Sequence, residues 1–326
     1  MFTHHRPSAR LAIALLGVVL AVGAWGCRKS NEPCPTASLA ITPNPLTIVT
    51  NTTRTFTATG RDYRGNVLST SAAWSVVAGG GTVNAGSGAF TAGGATGTFT
   101  NTVKATSGGL SANATVVVVS NPGPAPLGPA GTFSILAGST VTNTGATTTI
   151  VGDVGVSPGS AITGIPAGQP TLGVIHAGDA AAATAQTQLT TAYNDLAGRA
   201  CGTNLTSTDL GGLTLAAGVY CFNSSAGLTG TLTLDGQGNP NAVFVFKIGS
   251  TLTTASNSAV TLIGSAQASN VYWQVGSSAT LGTGTAFRGN IVALQSITLN
   301  SGATLSGRAL ARNAAVTLNS NAVTLP

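Results

Sequence analysis

Residues 278–326 read SATLGTGTAFRGNIVALQSITLNSGATLSGRALARNAAVTLNSNAVTLP, and within them a Thr-Leu pair recurs at Thr280-Leu281, Thr298-Leu299 and Thr317-Leu318, in steps of 18 and 19 residues. Between these pairs, Phe287-Arg288-Gly289 matches Leu305-Ser306-Gly307 without a gap. Working back along the chain, the pair returns at Thr251-Leu252, Thr231-Leu232 and Thr214-Leu215, in steps of 29, 20 and 17 residues. A repeat near 18 residues is what a three-sided β-solenoid produces when each turn lays one short strand on each face. Strand alternation then sends each Leu inward and its flanking Thr outward. The interval of 29 residues is met either by an insertion of about one face or by aligning Gly249-Ser250 with Gly276-Ser277, which pairs Thr253 with Thr280.

One segment breaks the strand pattern. His176 to Arg199 is Ala-rich, with Leu189, Ala192, Tyr193 and Leu196 at helical spacing and Gly198 placed to end it, so it predicts one long α-helix docked by one face. Tyr272 and Trp273 are neighbours on a strand, which predicts that one of them faces outward.

Upstream, residues 37–120 alternate β-branched or aromatic runs with Gly and Asn turns, as in Arg54-Thr55-Phe56-Thr57-Ala58, Ala73-Trp74-Ser75-Val76-Val77 and Thr115-Val116-Val117-Val118-Val119. Several strands in so short a stretch predict a small sandwich. With Asp62, Gly65-Asn66 and Val103-Lys104-Ala105, the spacing resembles the bacterial Ig-like family of surface proteins, a resemblance that implies a stalk. Residues 121–130, Pro-rich from Pro122 to Pro129, read as a stiff linker and a domain boundary. The last domain is 131–326.

Only 6% of residues are charged, against roughly 25% in an ordinary soluble domain. The surface must therefore be rich in hydroxyls rather than ions. The net charge of +6 forms no basic stripe: from residue 131 onward Arg199, Lys247, Arg288, Arg308 and Arg312 stand against Asp153, Asp179, Asp195, Asp209 and Asp235. With few aromatics to stack bases, nucleic-acid binding is excluded as an expectation. Enzymatic chemistry is not expected either, because these carboxylates are scattered among turns and helix ends where they cap backbone. His176, at the approach to the helix, suits packing or capping. No cofactor or metal is implied, and a monomer is expected.

The N-terminus has basic residues to Arg10, an apolar run from Leu11 to Val22 and small residues before Cys27, the layout of a secretory signal over 1–26. Ala24-Trp25-Gly26-Cys27 resembles a bacterial lipobox, although Trp25 is unusual in one. Lipidation of Cys27, with 27–36 as a tether, is favoured because the apolar run ends there. Cleavage after Val22-Gly23-Ala24 is the alternative, and the pairing of Cys34 depends on which occurs. The chain is thus expected to be exported, as a cell-surface lipoprotein anchored in the outer membrane or as a secreted protein. In that oxidising compartment Cys201 and Cys221 are expected to form a disulfide.

Long ordered stretches of 131–326 resemble the microbial ice-binding protein family. They include Phe133-Ser134-Ile135-Leu136-Ala137-Gly138-Ser139-Thr140, Gly152-Asp153-Val154-Gly155-Val156-Ser157-Pro158-Gly159 and Ala192-Tyr193-Asn194-Asp195-Leu196-Ala197-Gly198-Arg199. Ala242-Val243-Phe244-Val245-Phe246, Val271-Tyr272-Trp273-Gln274-Val275-Gly276 and Gly307-Arg308-Ala309-Leu310-Ala311 continue the match. The resemblance implies a right-handed three-sided β-solenoid with one flanking α-helix, so the whole chain is expected to be mainly β: that solenoid after an N-terminal Ig-like β-sandwich. It also implies an ice crystal surface as partner, met by a flat face bearing Thr-Ala/Gly-x-Thr/Asn patterns. Thr144-Gly145-Ala146-Thr147 and Thr254-Ala255-Ser256-Asn257 fit that pattern, while Thr283-Gly284-Thr285-Ala286 and Ser301-Gly302-Ala303-Thr304 depart from it.

The expected ice-binding set, from repeat and pattern together, is Thr144, Thr147, Thr251, Thr253, Thr254, Asn257, Thr280, Thr283, Thr298, Ser301, Thr304 and Thr317. Asn300 and Asn319 are read equally as surface residues or as a side-chain ladder between turns. The alternative function from another class is a cell-surface adhesin that binds carbohydrate or another cell.

Overall fold

The computed structural model describes residues 36–326. The signal segment, Cys27 and Cys34 lie outside the described residues. Residues 38–119 form ten strands in three small sheets, with Ile48, Phe56, Trp74, Phe90, Val103 and Val116 closing their core. The Pro-rich segment that follows is pinned rather than free. Arg199 donates to the carbonyls of Gly123 and Pro124, Gln188 donates to that of Pro126, and Ala125 and Leu127 are buried beside the helix.

From Phe133 onward the chain winds three parallel faces around one apolar core. The helix face stacks, in order, Ile175–Ala177, Asp153–Val156, Phe133–Ala137, Thr304–Ala311, Ala286–Ala293, Val271–Val275, Phe244–Ile248, Gly218–Phe222 and Thr203–Asn204. The domain therefore begins third from one end of its own stack. Its first coils build out to that end, the chain crosses to the far end, and the remaining coils return until Thr304–Ala311 pairs with Phe133–Ala137 through Ile135↔Ala309 and Leu136↔Leu310.

The crossing is made by α1, Ala180–Gly198. Nine strands leave eight intervals, about 38 Å at a strand spacing of about 4.8 Å. The 19 residues of α1 supply about 28 Å at a rise of about 1.5 Å each, and the flanking loops make up the rest. Ala182, Ala185, Leu189, Ala192 and Leu196 of α1 bury against Leu136, Val245, Tyr272, Val292 and Leu310 of the helix face. Asp179 caps the helix by accepting from the Ala182 amide, 2.9 Å away, and this bond and the His176 side chain hold its carboxyl below the usual carboxylate range. The helix is shorter than expected at its start because Ile175–Ala177 is held in register on Asp153–Val156 as a strand.

Inside the solenoid, Tyr220, Phe246 and Trp273 stack in one column, with Phe246 and Trp273 4.0 Å apart and 9° from parallel. One aromatic of the pair does face out of the sheet, but it is not exposed to solvent. Trp273 points into the core, while Tyr272 points out of the sheet but lies under the helix and linker at 3% exposure.

Candidate functional site

Seven strands make the second face, in the order Ala161–Thr163, Thr140–Asn143, Val316–Leu318, Ile297–Leu299, Ala279–Leu281, Leu252–Thr254 and Ala226–Leu228. Register pairs Thr253 with Thr280, Thr280 with Thr298, Thr298 with Thr317, Thr317 with Thr142, and Thr142 with Thr163. Six threonines thus form one column, spaced about 4.8 Å from strand to strand, with Gly227 continuing it after Thr253. Among the described residues, none of these six hydroxyls bonds to another protein group, although Thr and Ser hydroxyls around them do.

A flanking column contains Ser225, Thr251, Ser278, Ser296 and Thr140. Its hydroxyls pair along the stack, Thr251 donating to Ser225 at 2.8 Å and Ser296 to Ser278 at 2.9 Å. No charged residue stands on any of the seven strands. Beneath them Leu252, Leu281, Ile297, Val316, Leu318 and Val141 are completely buried, so the face rests on a close-packed floor.

At the corner where the chain enters this face, Gly138, Gly159, Gly249 and Gly276 lie so near the adjoining coil that a Cβ would sit 1.9 to 2.7 Å from a backbone oxygen. At these four positions only glycine lets consecutive coils stack, whereas Leu294 and Arg312 hold the equivalent places in the coils of Thr298 and Thr317. The opposite corner is held from inside. Asn321 donates to the carbonyls of Asn300 and Ala303, Asn143 to those of Gly145 and Gly164, and the Thr148 hydroxyl donates to Asn143 Oδ1. These bonds satisfy turn carbonyls that would otherwise be buried without partners.

The expected residues divide into four groups. Thr253, Thr280, Thr298 and Thr317 share the central column, and Thr251 stands in the flanking one. Thr144, Asn257, Thr283 and Ser301 are exposed on the turns of the far corner, where the Asn257 amide donates to Thr283 O and the Gly284 amide to Ser301 O. Thr147, between that corner and the strand Thr149–Val151, and Thr304, the first residue of Thr304–Ala311, belong to the start of the third face.

Thr254 is a correction. It is 3% exposed and occupies an inward position, in register with Leu228; its hydroxyl accepts from the Gly282 amide at 2.8 Å and lies 2.8 Å from the Thr285 hydroxyl. The gapless alignment of Gly249-Ser250 with Gly276-Ser277 holds, so Thr253 and not Thr251 lies in register with Thr280. Thr214-Leu215 and Thr231-Leu232 belong to the third face, where Thr214 pairs with Thr233 and Thr231 with Ala259. Thr142 and Thr163 complete the column and were missed, although Gly138-Ser139-Thr140-Val141-Thr142 and Gly159-Ser160-Ala161-Ile162-Thr163 carry the same Gly-Ser-x-apolar-Thr signal as Gly249 to Thr253 and Gly276 to Thr280.

The third face is less uniform. Its outward threonines Thr214, Thr233 and Thr261 give way to Arg288 and Ser306, and the N-terminal domain occupies one end through Gln237, which donates to Thr47 O at 2.6 Å, and the Arg54–Asp235 pair. The other Asp residues hold backbone or a neighbouring cation. Asp153 accepts from the Val174 amide, Asp195 pairs with Arg199, and Asp209 accepts from Gly211 and Thr229. Burial pushes the Asp209 carboxyl up, but the Thr229 and Gly211 bonds outweigh it and hold the group below its ordinary value. Cys201 and Cys221 are joined as a disulfide.

Residues 135–324 match the family model described as ice-binding-like. An ice-binding protein of Nostoc sp. (strain HG1) is 56% identical over 200 residues, covering 60% of this chain and 72% of that protein. A crystal structure of an ice-binding protein from an Antarctic biological consortium superposes with a TM-score of 0.60 at 50% identity, over 63% of this chain and 92% of the other. The corresponding domain of Shewanella frigidimarina ice-binding protein 1 gives a TM-score of 0.59 at 35% identity, over 63% and 98%.

Proposed function

Because the chain belongs to the ice-binding-like family, whose model spans residues 135–324, we propose that it binds ice and does so through the threonine face. The observation that carries this reading is the unbroken column Thr253, Thr280, Thr298, Thr317, Thr142 and Thr163, whose hydroxyls are unbonded within the protein.

The chemistry follows from the geometry. Threonines repeat about every 4.8 Å across the strands, and outward positions repeat every 6.4 to 6.8 Å or roughly so along them, making a flat two-dimensional grid. Each threonine offers a methyl group that orders water beside it and a hydroxyl that both donates and accepts. The close-packed floor fixes the side chains before any ice arrives, so little ordering remains to oppose binding. A charged group would keep its own hydration shell and disturb the lattice, and this face has none. Thr251, Thr144, Asn257, Thr283 and Ser301 border the column and extend the polar surface to both corners. Export with a lipid at Cys27 would present this face outside the cell, fastening the cell to ice.

The test is ice affinity itself. The full exported chain, labelled with a fluorophore on Lys104 of the N-terminal domain, is mixed with an unlabelled protein and a polycrystalline ice hemisphere is grown slowly from the solution. Enrichment in the ice over the reference protein supports the reading. Exclusion from the ice of a folded, disulfide-bonded sample refutes it.

A further inference from the structure

At the corner between the helix face and the threonine face, the C-terminal half of α1 leaves a groove of about 620 Å³ lined by Tyr193, Asn204, Asn223, Lys247 and Gln274, with the Cys201–Cys221 disulfide in its wall. That volume is within the range of small-molecule sites, roughly 300 to 1,000 Å³. Gln274 is the informative residue. It lies next to Lys247 in register on the outward side of the helix face and is 5% exposed, yet its carboxamide has no hydrogen-bond partner in the protein. Neither polar atom is completely sealed, so the side chain, covered elsewhere, opens on the groove that it lines.

The other lining groups define what could satisfy it. The Lys247 ammonium donates to Arg199 O, which leaves two of its N–H groups free to donate. Asn204, Asn223 and Gln274 supply carboxamides, each able to donate and accept. Tyr193 adds an aromatic wall, held by Arg312 4.8 Å over its ring. No carboxylate lines the groove. The disulfide ties the wall that carries Asn204 to the strand Gly218–Phe222, so the groove is formed before a ligand enters.

We propose that this groove binds a sugar residue that carries a carboxylate. Lys247 takes the carboxylate, the carboxamides take adjacent hydroxyls with Gln274 at the buried end, and Tyr193 packs on the apolar face of the ring. Such a residue can arrive as a free sugar acid or as one unit of an acidic polysaccharide. The site is separate from the threonine column, and its occupation does not depend on ice binding.

The test is a nuclear magnetic resonance titration of the full exported chain, isotope-labelled, following the side-chain amide signals of Gln274. Glucuronate is expected to shift them saturably with a Kd near about 1 mM, and glucose at least tenfold more weakly. Tighter binding of an oligoglucuronate than of the monomer identifies the polysaccharide as the source, and equal affinity identifies the free acid. Gln274→Leu should abolish the shifts of the remaining lining residues without changing the melting temperature by more than a few degrees. Lys247→Met should weaken glucuronate tenfold and leave glucose unchanged. Absence of saturable shifts with both glucuronate and its oligomer, or shifts that persist in Gln274→Leu, would overturn the proposal and leave a hydrated groove.

Discussion

Replacing Thr280 and Thr298 together by tyrosine should abolish ice binding without unfolding the domain. The two residues are adjacent in register at the middle of the threonine column, and both point outward with part of their surface open, so each ring can project without displacing the core. One cell of the grid measures about 4.8 by 6.7 Å, or roughly 32 Å². Removing that much apolar surface from water contributes about 0.8 kcal/mol at roughly 25 cal/mol per Å². Two neighbouring rings hold a flat lattice away from their own rows and from one row on each side. Across the central and flanking columns that is about eight cells, a gross loss of about 6 kcal/mol. Since about 1.4 kcal/mol is a tenfold change in affinity, even a fraction of this loss removes binding. The assay is the gap between melting and freezing of a single ice crystal, read together with crystal shape, with circular dichroism as the check on folding. Thr261→Tyr, on the third face, should leave gap and shape unchanged. A folded double variant that keeps the gap, or a Thr261→Tyr variant that loses it, would refute assignment to the threonine face.

Other consequences concern stability. Thr254→Leu places an inward side chain of the kind found at Leu281 but strands the Gly282 amide, while the Thr285 hydroxyl keeps its bond to Ala255 O, so urea unfolding should show a loss of about 1–3 kcal/mol, while the freezing gap per folded molecule is unchanged. Cys201→Ser with Cys221→Ser opens a loop with a sequence separation of 20; chain entropy sets the expected loss at about 3 kcal/mol, measured by chemical denaturation against the oxidised parent. Acid should destabilise the protein through Asp62, Asp179 and Asp209, whose folded carboxyls all titrate below the ordinary value of 3.8. Their contribution is complete above that value and is lost as pH falls through the folded values. Thermal melts should therefore be insensitive to these groups near neutrality and decline below about pH 4, and a decline that begins at pH 6 would contradict this origin.

Much of the architecture was legible because period and alternation are direct consequences of coil geometry. Thr280, Thr298 and Thr317 fall at near-constant steps, and the structure sets them side by side. The Thr-Leu pair was a weaker guide to which face a strand occupies. Every face of a solenoid alternates outward and inward residues, so Thr214-Leu215 on the third face reads like Thr298-Leu299 on the second. A Gly-Ser corner marks the second-face strands of Thr142, Thr163, Thr253 and Thr280, where coil-to-coil backbone contact forbids a side chain, but it is absent before Thr298 and Thr317. Thr142 and Thr163 were hidden by connectivity: they precede Thr317 by more than 150 residues and reach its column only because the stack closes on its own beginning. Local pattern also failed at Thr254, where a motif chosen by residue type includes a side chain that the alternation turns inward.

The helix that carries the chain from one end of the stack to the other also limits how the domain can change size. A coil inserted anywhere between the strands Thr203–Asn204 and Thr304–Ala311 lengthens the threonine face by one row, about 4.8 Å. It moves the two ends of the crossing apart by the same amount. At a rise of about 1.5 Å per residue, α1 must then gain about three residues, close to one turn. Growth of the face is therefore a paired event, one coil with one helical turn. A duplication of 18 or 19 residues alone would leave the strap too short and pull either its Asp179 cap or its Arg199 end from the sheet. Homologues with wider faces should accordingly carry longer helices, in steps of nearly a turn.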